Sequence, residues 1–255
     1  MAVDTRKAQY LLQSVGTALD VLDLLCNYED LGVSEVAQYL EIGKSTAYRL
    51  LYTLQSKGYV KKDENSRYRL SIKFAYFGSI VLDRMEIVKL ARPYLEDLTL
   101  LTNETSHLVV WAENNEVRFV DKVSSSSTIR MESFVGLKKP AYCTATGKVL
   151  LSFKDDAFLD KYLENVEFTE FTSYTIDNPL SLKETIFKIR KQGYSTDVDE
   201  SEEGLTCFAA PILDPMGQAL AAISVSGPTS RMLARRAFLI EHLINISSKI
   251  SRTLK

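Results

Sequence analysis

The stretch VSEVAQYLEIGKSTAYRLLYTLQSKGYV, residues 33–60, decides how the first part of the chain folds. Its second half carries apolar residues at i, i+3, i+4 and i+7, the spacing of one helix face: Ala47, Leu50, Leu51 and Leu54. This spacing predicts a helix over residues 45–57. Gly58 follows where a helix commonly ends in a left-handed residue. The opposite face of the same helix is polar and remains free for a partner.

Two shorter helices are predicted before it. An apolar face at Val36, Ala37 and Leu40 indicates a helix that begins after Ser34, the expected N-cap. A similar face predicts a first helix over residues 15–26, with Ser14 or Thr17 as its cap. Ile42-Gly43-Lys44 separates the second helix from the third and predicts a tight turn.

The periodicity changes after Gly58. Residues 59–62 and 67–70 are short runs rich in aromatic and branched side chains, and the polar residues 63–66 lie between them. This pattern predicts a β-hairpin. Three helices followed by a hairpin, within about 60 residues, describe a winged helix-turn-helix.

The charge distribution points to the same region. The chain holds 31 basic and 33 acidic residues, but residues 43–73 hold eight basic residues and only two acidic ones. A basic patch on a mildly acidic protein fits a partner that carries phosphate charge. The alternative is a solvated face with an uneven charge distribution.

The remaining sequence predicts an α+β domain. Residues 71–103 are predicted to be helical with a kink before Pro93, first as a linker and then as the opening helix of a second domain. Alternating patterns predict strands over residues 106–113, 116–123, 129–134, 205–214 and 218–226. Helical patterns cover residues 144–153, 155–163, 181–192 and 232–254. An antiparallel sheet flanked by helices is the simplest arrangement of these elements.

Composition limits the possible classes of protein. The 255 residues, 45% hydrophobic and 25% charged, fit one or two globular domains, with two favoured. No apolar stretch reaches the roughly 20 residues of a membrane helix, and the N-terminus lacks the apolar core of a signal peptide. Three dispersed cysteines argue against a disulfide framework or a cysteine zinc site. We therefore expect a cytoplasmic protein without a cofactor.

Four segments together carry a family resemblance. They are GKSTAYRLL with KGYV and RYRL, residues 43–70; TATGK with VLL, residues 144–151; GY through AAPI, residues 193–212; and AISVSGP with Arg231, residues 222–231. In this order and at these separations they resemble the isocitrate lyase regulator (IclR) family of bacterial transcription factors. The resemblance covers residues 14–254.

The resemblance implies a three-part chain. It implies a winged helix-turn-helix DNA-binding domain over residues 1–73, a linker helix over 74–87, and a GAF/PAS-like effector-binding and oligomerisation domain over 88–255. It also implies a homodimer or homotetramer, and a two-fold dimer fits a palindromic double-stranded operator. Repression is the more common mode in the family; activation, or a second domain that only oligomerises, remains open.

The DNA-binding residues are expected on the third helix and on the wing. The helix presents six outward residues to the major groove: Lys44, Ser45, Thr46, Tyr48, Arg49 and Tyr52. The wing presents four cations to the backbone or minor groove: Lys61, Lys62, Arg67 and Arg69. Packing of the two tyrosines against the second helix, or a surface salt bridge at Arg49, would be the structural alternative.

The resemblance also implies a pocket for a small organic acid. Its residues would be Ala145, Thr146, Asp197, Cys207, Ser224 and Ser226. The first turn of the predicted helix offers free N–H groups to a carboxylate, and Ser224 and Ser226 face the same side of a strand. Ordinary strand polarity for the serines and a buried apolar role for Cys207 are the alternatives.

Two features of this second domain depart from the family pattern, and two possible chemical roles are excluded. Tyr142-Cys143 stands where many family members have histidine. Lys139 would add a cation if it faces inward, although an outward, solvated position is favoured. The TATGK segment is not a phosphate-binding loop, and with only His107 and His242 as potential bases a Cys207 nucleophile is not expected. The sequence therefore predicts a regulator and not an enzyme.

Overall fold

The computed structural model describes residues 11–254, which divide into two compact units between Arg84 and Met85. The first unit contains four helices and a hairpin among its described residues: α1 (Gln13–Leu25), α2 (Val33–Tyr39), α3 (Lys44–Ser56), β1 (Val60–Lys62), β2 (Tyr68–Leu70) and α4 (Lys73–Asp83). This order confirms the predicted winged helix-turn-helix.

The core of the first unit follows the predicted apolar faces of α2 and α3, whereas in α1 Val15 and Leu19 are exposed and Val21, outside the predicted face, is buried. Ala47, Leu51 and Leu54 of α3 are buried with residues from α1, α2 and the wing. Tyr68 of β2 is also part of this core and pairs through its backbone with Leu31, ahead of α2. The wing is thereby fixed to the helices, and the polar face of α3 is left outside.

The helix ends agree only in part with the sequence. Gly58 has a φ of +75° and ends α3 as predicted. Helix α2 begins after Gly32 and not after Ser34, because the Glu35 carboxylate accepts the Gly32 N–H at 2.7 Å. Helix α1 has Leu12 at its N-cap without a side-chain cap, and the hydroxyl of Thr17 donates to a backbone carbonyl instead.

The second unit contains six strands and six helices among its described residues. The helices are α5 (Glu86–Thr102), α6 (Ala145–Ser152), α7 (Asp156–Asn165), α8 (Pro179–Gln192), α9 (Thr229–Ala234) and α10 (Arg236–Thr253). The strands are β3 (Thr105–Trp111), β4 (Glu116–Val123), β5 (Lys138–Pro140), β6 (Ser195–Val198), β7 (Leu205–Leu213) and β8 (Ala219–Pro228).

All six strands join one antiparallel sheet in the order β5-β4-β3-β8-β7-β6. Helix α6 is buried along its whole length, and it shares a hydrophobic core with α7, α8 and alternate sheet residues such as Ala209 and Ala222. Helices α5 and α10 also pack against the sheet. The predicted α+β class with an antiparallel sheet flanked by helices is confirmed.

Several predicted elements differ in detail. Residues 124–137 form the β4–β5 connection without a regular element, so the strand predicted at 129–134 is wrong. Ser133, within the predicted strand, bonds to the side chains of His107 and Lys122 instead of to a neighbouring strand. The helical region 71–103 is interrupted at Arg84 and Met85, and Pro93 lies inside α5. The closing helix is two helices, α9 and α10.

Candidate functional site

The outer face of α3 is exposed along its length. All six residues predicted to contact DNA from this helix are exposed: Lys44, Ser45, Thr46, Tyr48, Arg49 and Tyr52. The apolar face of the same helix is buried, which fixes the orientation of the polar one. A helix held in this way presents its outward side chains to a groove without further rearrangement.

The two tyrosines of α3 form a pair. Tyr48 and Tyr52 stack one helical turn apart, with ring centroids 6.2 Å from each other. They are 49% and 59% exposed, so packing against α2 does not account for them. Aromatic rings that remain in solvent carry apolar surface and a hydroxyl that a partner can use.

Arg49 and Arg67 have different surroundings. Within residues 11–254, no carboxylate lies within salt-bridge distance of Arg49, so the alternative of a surface ion pair is not observed. Arg67, in contrast, pairs with Asp30 and lies 3.0 Å from the Glu35 carboxylate. These pairs tie the wing to Asp30, ahead of α2, and to Glu35 in the first turn of α2, while the contact of Arg67 with DNA stays a prediction.

Three other wing cations remain exposed: Lys61, Lys62 and Arg69. Lys61 and Arg69 are direct cross-strand partners in the hairpin. Like charges in opposite positions of an antiparallel pair destabilise it. An anionic partner along the wing would relieve this repulsion, as a phosphate backbone does.

The second unit contains a cavity of about 170 Å³ that receives every predicted effector residue. Its polar lining includes Glu132, Lys139, Thr144, Thr146, Asp197, Ser201, Glu202, Cys207, Ser224 and Ser226, and Ala145 joins it at the start of α6. Its apolar lining includes Phe119, Met131, Phe134, Leu137 and Leu205. A cavity of this size, with polar and apolar residues in its lining, fits a small molecule better than a large ligand.

The polar side of the cavity is built across three adjacent strands. Asp197 of β6 pairs in register with Cys207 of β7, and Cys207 pairs with Ser226 of β8. Ser224 lies two residues before Ser226 and therefore on the same face of β8. The sheet thus positions a carboxylate, a thiol and two hydroxyls along one cavity surface.

Asp197 is buried but well bonded. Its Oδ1 accepts the Glu200 N–H at 2.9 Å, and its Oδ2 accepts the Ser201 hydroxyl at 2.8 Å. Burial raises the pKa of this carboxyl above its ordinary value, while Lys148 and these hydrogen bonds oppose the rise. These hydrogen bonds therefore fix the side chain in place at the cavity surface.

The start of α6 forms another side of the cavity. Thr144 caps the helix by accepting the Gly147 N–H at 3.1 Å, which leaves the first turn at Ala145 and Thr146 facing the cavity. The first N–H groups of a helix have no acceptor within it and favour an anion. Lys139 also lines this cavity, which favours the inward alternative for its side chain.

Three polar residues that organise the cavity were not among the site residues predicted from the sequence. Lys148 pairs with Glu200, and His107 contacts Ser224 of the cavity lining at 3.4 Å. Lys148 was visible within the TATGK segment, where a buried lysine requires a carboxylate partner. The signal for Glu200 and His107 was weak, because their partners are distant in sequence.

The described residues do not support catalysis at Cys207. Burial raises the pKa of its thiol far above the ordinary value, which keeps it protonated and weakly nucleophilic.

In residues 11–254 there is also no group of three or more metal-ligating side chains. Within the same range, none of the helices has the length and apolar character needed to cross a membrane.

Comparisons with known proteins cover both units. The profile described as "IclR helix-turn-helix domain" matches residues 14–64, and the profile "Bacterial transcriptional regulator IclR C-terminal" matches residues 79–252. The HTH-type transcriptional regulator KdgR of Escherichia coli is 35% identical over 91% of this chain and 89% of its own length.

Solved structures give the same result. The crystal structure of Thermotoga maritima IclR matches with a TM-score of 0.78 and 34% identity, covering 96% of this chain and 99% of that one. An IclR homologue from Microbacterium hydrocarbonoxydans, complexed with 4-hydroxybenzoate, shares the fold with a TM-score of 0.78 at 20% identity, over 95% of this chain and 98% of that one. The chain belongs to the IclR family of bacterial transcriptional regulators.

Proposed function

We propose that this regulator is a repressor that binds a double-stranded operator through α3 and the wing and responds to a small carboxylate. The observation that carries the proposal is the pairing of two features on one chain. One is the exposed polar face of α3 with Arg49 free of a carboxylate partner within the described residues. The other is the small polar cavity in the second unit.

On the duplex, α3 would enter the major groove. Ser45 and Thr46 lie at its N-terminal end, where free N–H groups suit a phosphate oxygen. Arg49 would make a bidentate contact with guanine or pair with a phosphate. Lys61, Lys62 and Arg69 would follow the backbone beside the groove, while Arg67 holds the wing.

The effector would be an oxo-, hydroxy- or sugar acid. Its carboxylate would meet the N–H groups at the start of α6 and the hydroxyls of Ser224 and Ser226, with Lys139 adding positive charge. Asp197 would accept from a ligand hydroxyl, and Cys207 would pack beside it. The 4-hydroxybenzoate bound to the Microbacterium relative is a small acid with one hydroxyl, and it belongs to the same chemical class.

The wider architecture follows from the same proposal. Residues 1–73 would bind DNA, 74–87 would link, and 88–255 would bind the effector and join copies into a dimer or tetramer. Two winged helices related by a two-fold axis would read a palindromic operator in the cytoplasm. Repression is the mode that the family resemblance implies.

The effector would act by shifting the equilibrium between a DNA-competent and a DNA-incompetent arrangement of the protein. It can change operator affinity only to the extent that it binds the DNA-competent and DNA-incompetent arrangements with different affinity. Because the cavity and α3 lie in different units, residues 74–87 would carry the difference between them. No new contact between effector and DNA is needed.

The test combines DNA and ligand binding on the full chain. The protein should retard a fragment from upstream of its own gene, and a small acid that raises its melting temperature should reverse this retardation. A matched fragment from within the coding sequence is the control. Retardation that the acid strengthens would indicate activation or co-repression, and a stabilisation screen without any response would leave the second unit as an oligomerisation module.

A further inference from the structure

His107 lies on an inner strand of the sheet and contacts both a residue of the cavity lining and the β4–β5 connection. On β3 it is the direct cross-strand partner of Ser224, a cavity residue of β8, and its Nδ1 lies 3.4 Å from the Ser224 hydroxyl. Its Nε2 lies 2.9 Å from the hydroxyl of Ser133, in the β4–β5 connection. One imidazole therefore links a cavity hydroxyl to the segment that supplies the apolar side of the cavity.

The surroundings of His107 keep the ring uncharged. The side chain is completely buried, and the ring of Phe119 packs edge-on against it at 5.1 Å. Among the described residues, Lys122 of β4 is the charged group that acts on it, and burial together with this cation lowers the pKa of His107 to about 3. A neutral imidazole has one N–H and one acceptor nitrogen, so its two neighbours cannot play the same role.

The position of this one proton determines what Ser224 offers to a ligand. With the proton on Nδ1, the ring donates to the Ser224 oxygen, and the Ser224 hydroxyl hydrogen is free to point at an acceptor in the cavity. Nε2 then accepts from the Ser133 hydroxyl. With the proton on Nε2, Ser224 donates to the ring and shows only lone pairs to the cavity, which would repel a carboxylate.

We propose that His107 is a positioning residue of the effector cavity, which carries its proton on Nδ1, directs the Ser224 hydroxyl at an acceptor oxygen of the effector, and couples that contact to the β4–β5 connection. The proposal rests on the effector cavity proposed above and assigns the donor role of one of its hydroxyls. It names an acceptor group, a carboxylate or carbonyl oxygen, as the part of the ligand that Ser224 recognises.

The β4–β5 connection is suited to receive this coupling. Met131, Glu132, Phe134 and Leu137 from this connection line the cavity. Beyond His107, it is held by Lys122, which bonds to the Ser133 carbonyl, and by Arg231, which donates to the Ile129 carbonyl at 3.1 Å. A ligand that fixes Ser224 would therefore also fix Ser133 and the apolar residues around it.

Nitrogen spectra of the wild-type protein provide the first test and need no ligand. The chain has only two histidines, so a His242→Asn variant assigns the two sets of ring signals. The expected result is a neutral His107 ring with the proton on Nδ1, unchanged between about pH 5 and about pH 8, the range in which an ordinary histidine titrates. A charged ring, or a proton on Nε2, would overturn the proposal.

Three substitutions separate the two contacts of the ring. An asparagine amide reaches roughly the position of Nδ1, and a glutamine amide reaches that of Nε2. His107→Asn should therefore keep the contact to Ser224 and lose that to Ser133, His107→Gln should do the reverse, and His107→Phe should lose both. The two readouts are amide hydrogen exchange in residues 124–137 and binding of pyruvate, with L-lactate as the matched hydroxy acid.

We expect the asparagine and glutamine variants to change opposite readouts. Exchange in the β4–β5 connection should increase in His107→Asn and His107→Phe but stay near wild type in His107→Gln. Pyruvate affinity should fall about tenfold in His107→Gln and His107→Phe, the effect of one lost hydrogen bond, and stay near wild type in His107→Asn. General loss of structure would move both readouts together.

Failure of this proposal can be told apart from failure of the effector proposal. Wild-type pyruvate affinity in all three variants would exclude His107 as a positioning residue while leaving the cavity as the effector site. A wild-type protein that binds neither acid would contradict the proposed effector class for these probes. The ring spectrum and the exchange of residues 124–137 would still decide the role of His107.

Discussion

Lys148 and Glu200 form a buried ion pair, in which the lysine ammonium contacts both carboxylate oxygens, with 2.5 Å between Nζ and Oε2. The side chains are only 1% and 12% exposed. Lys148 belongs to α6, whose first turn lines the cavity, and the Glu200 N–H donates to Asp197, another cavity residue. The pair thus joins two sides of the cavity.

Loss of the lysine should destabilise the second unit strongly. Lys148→Met leaves the Glu200 carboxylate buried without its cation, which costs about 3–5 kcal/mol of unfolding free energy. Urea unfolding followed through Trp111, the single tryptophan of the chain, measures this change within the second unit. The matched control is Lys183→Met, which removes an exposed ion pair with Asp160 and should cost at most about 1 kcal/mol.

A double variant sharpens this prediction. Lys148→Met combined with Glu200→Leu removes both charges, and it should recover much of the stability lost in the single variant. Equal unfolding free energies for Lys148→Met and Lys183→Met would show that the buried pair does not hold the fold together.

The pH dependence of stability should reveal two opposed groups. Burial raises the pKa of Glu200 to about 7, despite the nearby Lys148, whereas in the unfolded chain its pKa is near 4.5. Glu200 therefore stabilises the fold fully below about pH 4.5, and this stabilisation is lost as the pH rises through about 7. His107, with its pKa lowered to about 3, contributes stability above 6.5 and loses it as the pH falls. The two slopes oppose each other between about pH 4.5 and 6.5.

Glu200→Gln should remove the contribution of Glu200 and leave that of His107, opposed only by the buried Asp197, whose pKa is also raised. In this variant the amide still accepts a hydrogen bond from Lys148, but it does not titrate. Its unfolding free energy should therefore rise more steeply than that of the wild type between about pH 5 and about pH 7, by up to about 3 kcal/mol. Parallel urea titrations of the two proteins measure the difference, and identical pH profiles would remove Glu200 as a titrating group.

Arg49 and Arg67 should respond differently to truncation. Arg49→Ala should weaken binding to the upstream fragment and reduce the slope of log K against log salt concentration by about 0.9 if one phosphate contact is lost. Arg67→Ala should lower the stability of the first unit, because it breaks the pairs with Asp30 and Glu35, with little change in the salt slope. Lys161→Ala, an exposed lysine of α7, is the control. Equal salt slopes for Arg49→Ala and this control would place Arg49 outside the interface.

The fold was predictable where local periodicity governs the structure. The face of α3 and the hairpin after Gly58 depend on residues close in sequence, and both are confirmed. The short edge strands β5 and β6 were missed, because three or four residues carry too little pattern to indicate a strand. The strand predicted at 129–134 has apolar residues that line a cavity instead of a sheet face.

The cavity was predictable only as far as the family resemblance reached. The resemblance named residues from α6, β6, β7 and β8, and these line one cavity. The contacts that organise them join Lys148 to Glu200, 52 residues away, and His107 to Ser224, 117 residues away. A single sequence carries no signal for such pairs, because they depend on strand order and not on spacing.

Gly147 provides a last test of how the cavity is built. It lies inside α6, where alanine normally stabilises a helix by about 1 kcal/mol over glycine. A Cβ at this position would collide with the backbone of Ala141, which is buried. Gly147→Ala should therefore destabilise the second unit by about 1–3 kcal/mol, the usual cost of overpacking, and weaken acid binding at the adjoining first turn.

The control is a second helical glycine, at which an added Cβ would contact no other atom in the part of the chain that the structure describes. Gly78 lies inside α4, and a Cβ there meets no atom within 4 Å among the described residues. Gly78→Ala should raise thermal stability slightly, as helix propensity alone predicts. The change in stability is measured by Trp111 fluorescence for Gly147→Ala and by circular dichroism for Gly78→Ala. Stability changes of opposite sign would show that contact with Ala141, and not helix propensity, requires glycine in the TATGK segment. A stabilised Gly147→Ala protein would mean that α6 can move away from residue 141, and the cavity would then be more adaptable than its packing indicates.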